Sequence, residues 1–208
     1  ITYGDKNHWR NNMYATFYCT HSIRPLIHIT KLRPVSVVGF ELPFNDRMAR
    51  MGSVAGVAGI EMITLENGAV IKSIHGNLSK NSIWYTIYGT KGRLESIRED
   101  AVHLVGDDKI FANYDTNEIS FDGKVQDVPT VKQKENNSGH GGSDYYSLHN
   151  FISKIEGKDA DTIDVYEALD MFLPGLFAYR SILNGNKPME IPNLRDPKNR
   201  DQFRNDIA

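Results

Sequence analysis

Ile60-Glu61-Met62-Ile63-Thr64-Leu65-Glu66-Asn67-Gly68-Ala69-Val70-Ile71-Lys72-Ser73-Ile74-His75 decides the fold. Two β-branched runs, Ile60 to Leu65 and Ala69 to His75, flank Asn67-Gly68. That dipeptide best tolerates the positive φ angles of a tight turn, so the stretch reads as a hairpin. Ile60 and Met62 point to one side of their strand, Ile63 and Leu65 to the other. A sheet wet on one face would alternate apolar with polar residues, so both faces of this one are expected to be at least partly covered.

Working outward, Arg33 to Phe40 reads as a strand started by a proline, and Ile83 to Tyr88 meets Arg93 to Ile97 across Gly89-Thr90-Lys91-Gly92. Ile83, Tyr85 and Ile87 oppose Trp84, Thr86 and Tyr88, again two-faced. Shorter strands are expected at Val102–Val105, Ile110–Tyr114 and Glu118–Phe121, with turns at Asp107-Asp108 and Asp122-Gly123. Asn45 to Val57 and Pro129 to Ser143 read as loops. Three helices frame the strands. Ser22 to Thr30 has Thr20 as its expected N-cap. Ser143 to Glu156 spaces Tyr145, Leu148, Ile152 and Ile155 helically and stops at Gly157. Thr162 to about Leu183 is expected to bury Val165, Leu169, Phe172, Leu176 and Tyr179 and to kink at Pro174. Asp164, Glu167 and Asp170 read as its solvated face. Ile191 to Ala208 reads as an extended arm with a short helical turn. The fold class is therefore α/β (α+β): an open, mostly antiparallel sheet with helices on one face. The other face is an expected interface with another subunit or domain.

At 208 residues, 40% apolar and 24% charged, the chain suits one globular domain with a sizeable core. A net charge of -2 offers no basic surface for nucleic acid or an anionic membrane. No run reaches the ~18 apolar residues of a membrane span, and no signal peptide is visible. The single cysteine, Cys19, fits a reducing, cytoplasmic setting and reads as a small packed side chain rather than a nucleophile. The chain starts at Ile1 directly into a charged, aromatic segment, so it is expected to be a piece of a longer protein whose missing part lies upstream.

The chemistry is expected at Tyr18-Cys19-Thr20-His21-Ser22-Ile23-Arg24-Pro25. His21, near a helix start, stands where backbone N–H groups favour an anion or a polarised oxygen, and histidine is the side chain best suited to proton transfer near neutral pH. The bland alternative is a packing histidine. Trp9 and Arg10 offer a flat apolar face and a fork of donors, which suit a sugar. The commoner outcome for such a pair is a core tryptophan beside a surface ion pair. Gly139-His140-Gly141-Gly142 leads into the Ser143 helix, with His140 at its mouth and Asp144 in the first turn, or else serves only to reverse the chain. Tyr18, Tyr145 and Tyr146 could donate to a substrate oxygen or simply pack. His28 reads as a satisfied core histidine. No Cys-x-x-Cys or His-Glu-x-x-His spacing exists, so no metal is expected. Nor is there a glycine fingerprint for a nucleotide.

Four segments in order, Tyr18 to Pro25, Arg33 to Val37, Tyr88-Gly89-Thr90-Lys91-Gly92-Arg93-Leu94-Glu95 and Gly139 to Tyr145, resemble the C-terminal domain of the Gfo/Idh/MocA family of NAD(P)-dependent oxidoreductases. The Thr-His and Gly-His-Gly-Gly segments look most like the branch that includes the NAD-dependent α-N-acetylgalactosaminidases. The resemblance implies that residues 1–208 are the substrate-binding and oligomerisation domain of a two-domain protein. The N-terminal Rossmann domain, which would bind most of the NAD or NADP, is absent here, and the piece alone would be inactive. It further implies a sugar substrate and a homo-oligomer. His21 would be the acid/base with Tyr18 as its alternative, and Trp9, Arg10, Arg24, His140, Asp144 and Tyr145 would line the substrate. The branch usually follows Thr-His with a glycine and then Gly-Pro. This chain has Ser22 and Arg24 instead, and an arginine there would narrow the pocket or pair with a substrate carboxylate.

Overall fold

The computed structural model describes residues 5, 7–42, 58–76, 84–90, 92–95, 116–121, 124–129, 138–139 and 142–206. The chain divides into two compact units, one of residues 1–80 and 163–208, the other of residues 81–162.

In the first unit, two short 3-10 turns, Trp9–Asn12 and Ala15–Tyr18, lead into α1 (Cys19–Thr30). Strands β1 (Pro34–Glu41), β2 (Ala58–Leu65) and β3 (Val70–Gly76) follow. After the second unit come α3 (Val165–Leu183), β8 (Met189–Glu190) and α4 (Pro197–Gln202). The sheet order is β3-β2-β1-β8, every pair antiparallel. The register places Val37 opposite Ile63 and Ile63 opposite Ile71. These side chains meet Ile23 and Ile27 of α1 and Met171, Leu173, Phe177 and Ala178 of α3 in one core. The other face carries the row Phe40, Ile60 and Ile74, all exposed, as the hairpin alternation requires.

In the second unit, β4 (Thr86–Tyr88), β5 (Gly92–Glu95), β6 (Thr116–Phe121) and β7 (Lys124–Pro129) form another antiparallel sheet in chain order, joined in sequence by α2 (Ser143–Ile155). The expected mixture of open antiparallel sheet and helices is thus the architecture found, with its strands paired as two sets. Strands β7 and β8 are additions to the sequence reading. The Val102–Val105 and Ile110–Tyr114 expectations and the Asn45 to Val57 loop lie outside the described residues.

Several details differ from expectation for clear physical reasons. Between β2 and β3 the Leu65 N–H donates to the Ala69 carbonyl and the Gly68 N–H to the Leu65 carbonyl, and only Gly68, at φ 86°, takes the left-handed conformation. Helix α1 begins at Cys19, and Thr20 donates its hydroxyl to the Met171 carbonyl instead of capping. Helix α3 contains Pro174, as expected of its range. Its buried face is Met171, Pro174, Phe177, Ala178 and Ser181, while Val165 and Phe172 are exposed. The helix is apolar on several sides, and it packs against β1 and α1 together, which selects a face about one residue away from the predicted stripe. Asp170 is buried rather than solvated, and Arg195 reaches it from the arm at 2.8 Å.

Candidate active site

The inner face of the first sheet changes character along its length. Val37, Ile63 and Ile71 form an apolar row, followed by Gly39, Glu61 and Ser73, then by Glu41, Gly59 and His75. The polar rows lie under the segment Ala15 to Ser22. Glu41 accepts the Ala15 N–H with both carboxylate oxygens, at 3.1 and 3.0 Å, fixing the start of the second 3-10 turn. Gly175 of α3 has no side chain because the Thr16 carbonyl occupies the place of a Cβ. The entry to α1 is therefore clamped between sheet and α3.

On the outer side of this clamp stands an aromatic and basic group. The rings of Tyr18 and His21 stack at 5.9 Å and 19°. The Arg10 guanidinium lies over the Tyr18 ring at 5.6 Å. Trp9 stacks on His8 at 5.7 Å and is 64% exposed, which overturns the reading of Trp9 as a core side chain. The reason is local. His8 accepts the Arg10 N–H at Nδ1, and buried Asn11 donates to the Asp5 carbonyl, so Asn11 turns inward and Trp9 outward. His21 and Arg24 are both exposed and one turn apart on α1. Pro25 has no N–H to give the His21 carbonyl, so the helix ladder is interrupted at that residue.

Beneath lies Cys19, fully buried. Burial pushes its thiol well up, and the charge of Glu61 adds to that, so Cys19 is a packed thiol and not a nucleophile. His28 is half-exposed rather than core, bonded at Nδ1 to Glu167 at 2.5 Å.

Asp144 and Tyr145 belong to the second unit. Gly142, at φ 95°, precedes α2, and the Tyr145 N–H donates to Ser138 Oγ at 3.1 Å. The Asp144 carboxylate folds back over Gly139, 2.5 Å from where a Cβ would stand. Tyr145 is half-exposed, set edge-on to Tyr146 at 5.4 Å. His140 lies outside the described residues. The first unit thus brings together Trp9, Arg10, Tyr18, His21 and Arg24, and the second holds Asp144 and Tyr145. Glu61 and His75, beneath the site, were not read as functional. Their signal was polarity in core-facing strand positions. Among the described residues no group of three His, Cys, Asp or Glu side chains stands ready for a metal. Nor, among them, is any helix long and apolar enough to cross a membrane.

The fold recurs in solved oxidoreductases. An aldose-aldose oxidoreductase from Caulobacter crescentus, complexed with glycerol, matches with a TM-score of 0.63 at 17% identity, over 91% of this chain and 52% of that one. A levoglucosan dehydrogenase complexed with NADH and L-sorbose matches at 0.61 and 16%, over 92% and 56%. The WlbA dehydrogenase from Bordetella pertussis, complexed with NADH and UDP-GlcNAcA, matches at 0.53 and 16%, over 84% and 44%. The chain spans about half the length of these structures. At such identities the likeness establishes the fold alone. No curated protein matches the chain. The sequence profile of one family does match, over residues 38–199, and by that match the chain belongs to the family described as glycosyl hydrolase 109, C-terminal domain.

Proposed function

We propose that this chain is the substrate-binding domain of a nicotinamide-dependent enzyme acting on a sugar or sugar derivative by hydride transfer. The observation that carries the reading is the group of Trp9, Arg10 and His21, exposed, with the half-buried Tyr18 at the clamped entry to α1. Flat aromatic faces beside a guanidinium fork suit the apolar face and hydroxyls of a sugar ring. The chain has no glycine fingerprint for a dinucleotide's pyrophosphate. NAD or NADP is accordingly held mainly by a domain outside this chain. The nicotinamide, when bound, supplies hydride transfer at a ring carbon. The companion of that transfer is the hydroxyl proton, and His21 is the group to take it, with Tyr18 as the alternative. Arg10, Trp9 and Arg24 orient the sugar.

A second reading follows from the family profile, which describes a glycosyl hydrolase. A ketone made transiently on the ring acidifies the neighbouring C–H. His21 would then remove that proton as the glycosidic oxygen leaves; water would add to the resulting enone and the hydride would return to the ring, so that there is no net redox change. The outer sheet face, with Phe40, Ile60 and Ile74, pairs two copies of the protein, and the lone thiol suits a cytoplasmic setting.

The test uses the full-length protein with NAD or NADP against free sugars and aryl glycosides, following reduced cofactor and released aglycone together. Reduced cofactor accumulating with a free sugar supports the dehydrogenase. Aglycone release without net reduction supports the glycosidase. His21→Ala should lower turnover by ~10²-fold or more while the protein stays folded. Full activity in that variant removes His21 from the mechanism.

A further inference from the structure

Under the Tyr18–His21 stack runs a partly buried polar chain. Ser22 Oγ donates to the Cys19 carbonyl at 2.9 Å. Ser22 Oγ and Ser73 Oγ are 2.5 Å apart, and Ser73 Oγ is 3.2 Å from His75 Nδ1. His75 Nε2 is 3.1 Å from Glu61 Oε1. Glu61 is wholly buried, and neither of its oxygens, nor His75 Nε2, has a hydrogen-bond partner of good alignment.

Counting protons along this chain fixes its direction. A hydroxyl has one proton to give. Ser22 spends its proton on a carbonyl, which can only accept. Ser73 must therefore donate to Ser22. Its oxygen is then left to accept, and His75 must carry a proton on Nδ1. That leaves Nε2 facing a carboxyl oxygen at 3.1 Å. Two lone pairs at that distance in a buried setting repel, and one proton removes the conflict. It resides on the imidazole, giving an ion pair, or on the carboxyl, giving a neutral pair.

We propose that Glu61 and His75 are a buried pair holding one shared proton, and that through Ser73 and Ser22 they act as positioning residues for Tyr18 and His21. The proposal rests on the reading of those two side chains as the acid/base group. A pair of this kind is costly to bury and is kept where it specifies one arrangement. Here that arrangement is the first turn of α1, tied from below through Ser22, whose neighbours on the helix are His21 and, one turn earlier, Tyr18. Apolar residues at the same inward positions would fill the space but would leave Ser73 free to rotate away from Ser22.

The experiment uses the full-length protein with isotope-labelled histidine, comparing wild type, Glu61→Gln and Glu61→Leu. The His75 ring nitrogens and the His21 ring protons, which lie against the Tyr18 ring, are read by NMR. Protonated Nδ1 on His75 is expected in wild type. In Glu61→Gln the amide can donate to a neutral Nε2, so the His21 signals should stay in place and kcat should be largely retained. In Glu61→Leu the His21 signals should move. With Leu, kcat should fall roughly 10- to 100-fold with KM little changed, since the sugar contacts at Trp9 and Arg10 are untouched. An unprotonated Nδ1, or unmoved His21 signals in Glu61→Leu, overturns the proposal. Those two readings need no substrate. If His21→Ala were fully active while they came out as expected, the functional reading would fail and the positioning pair would stand.

Discussion

Gly39 lets α3 lie directly against β1. A Cβ there would collide with the carbonyl and side chain of Ala178, both held by packed backbone. The same residue closes an exposed strand edge, because β8 pairs with β1 only at Ser36 and Val37. Beyond that point the Gly39 N–H donates to Ser181 Oγ at 3.1 Å, and Asn186 Nδ2 donates to the Gly39 carbonyl at 2.6 Å. Gly39→Ala should therefore destabilise the protein by about 1–3 kcal/mol, read as a lower urea midpoint at unchanged slope. A wild-type midpoint would mean that α3 can move aside. At this scale the sequence was only partly legible. Tyr18, His21, Arg10 and Trp9 could be picked out by type and spacing. The inward Glu61 and the buried Asp170 could not, because each is stabilised by a partner distant in sequence or across a strand pair, His75 and Arg195, that periodicity does not reveal.

Helices α1 and α3 are tied at one end by Glu167, which receives His28 at 2.5 Å and Lys31 at 3.0 Å. Lys31 is itself the left-handed residue that ends α1. Burial works against the charge on Glu167, but the bonds from Lys31 and then His28 outweigh it and hold the carboxyl below its ordinary value. A carboxyl lowered in the folded state stabilises that state above its unfolded pKa, and the gain disappears as pH falls through the folded value. Glu167→Gln should thus cost about 1 kcal/mol near pH 7. The gap in melting temperature between the two proteins should close between about pH 5 and 3. A gap constant over that range would place the effect in packing alone. Among elements, the β2–β3 hairpin, β1 and the long helices were readable because apolar period and turn residues agree there. Strand β7 was missed because Lys124-Val125-Gln126-Asp127-Val128-Pro129 does not alternate. Strand β8 has two residues and carries no pattern at all. The buried face of α3 was displaced because two neighbours, not one, claim its surface.

On the scale of the whole molecule, the outward row of Phe40, Ile60 and Ile74 is the feature that asks for company. Ile60→Lys should leave the fold intact, since that side chain points away from the core, and should halve the mass of the full-length protein measured by light scattering. An unchanged mass would mean that this face pairs no copies of the protein. The two-sided alternation of the hairpin is what made such a face visible in the sequence.

The first unit is discontinuous, interrupted by residues 81–162. During synthesis, β1, β2 and β3 leave the ribosome long before α3 and β8 exist to cover them. For the time it takes to make some eighty residues, at ~5–20 residues per second, Val37, Ile63 and Ile71 have α1 but not yet α3 to pack against. The nascent chain therefore waits several seconds with a half-built core, and that interval is where a chaperone would find it.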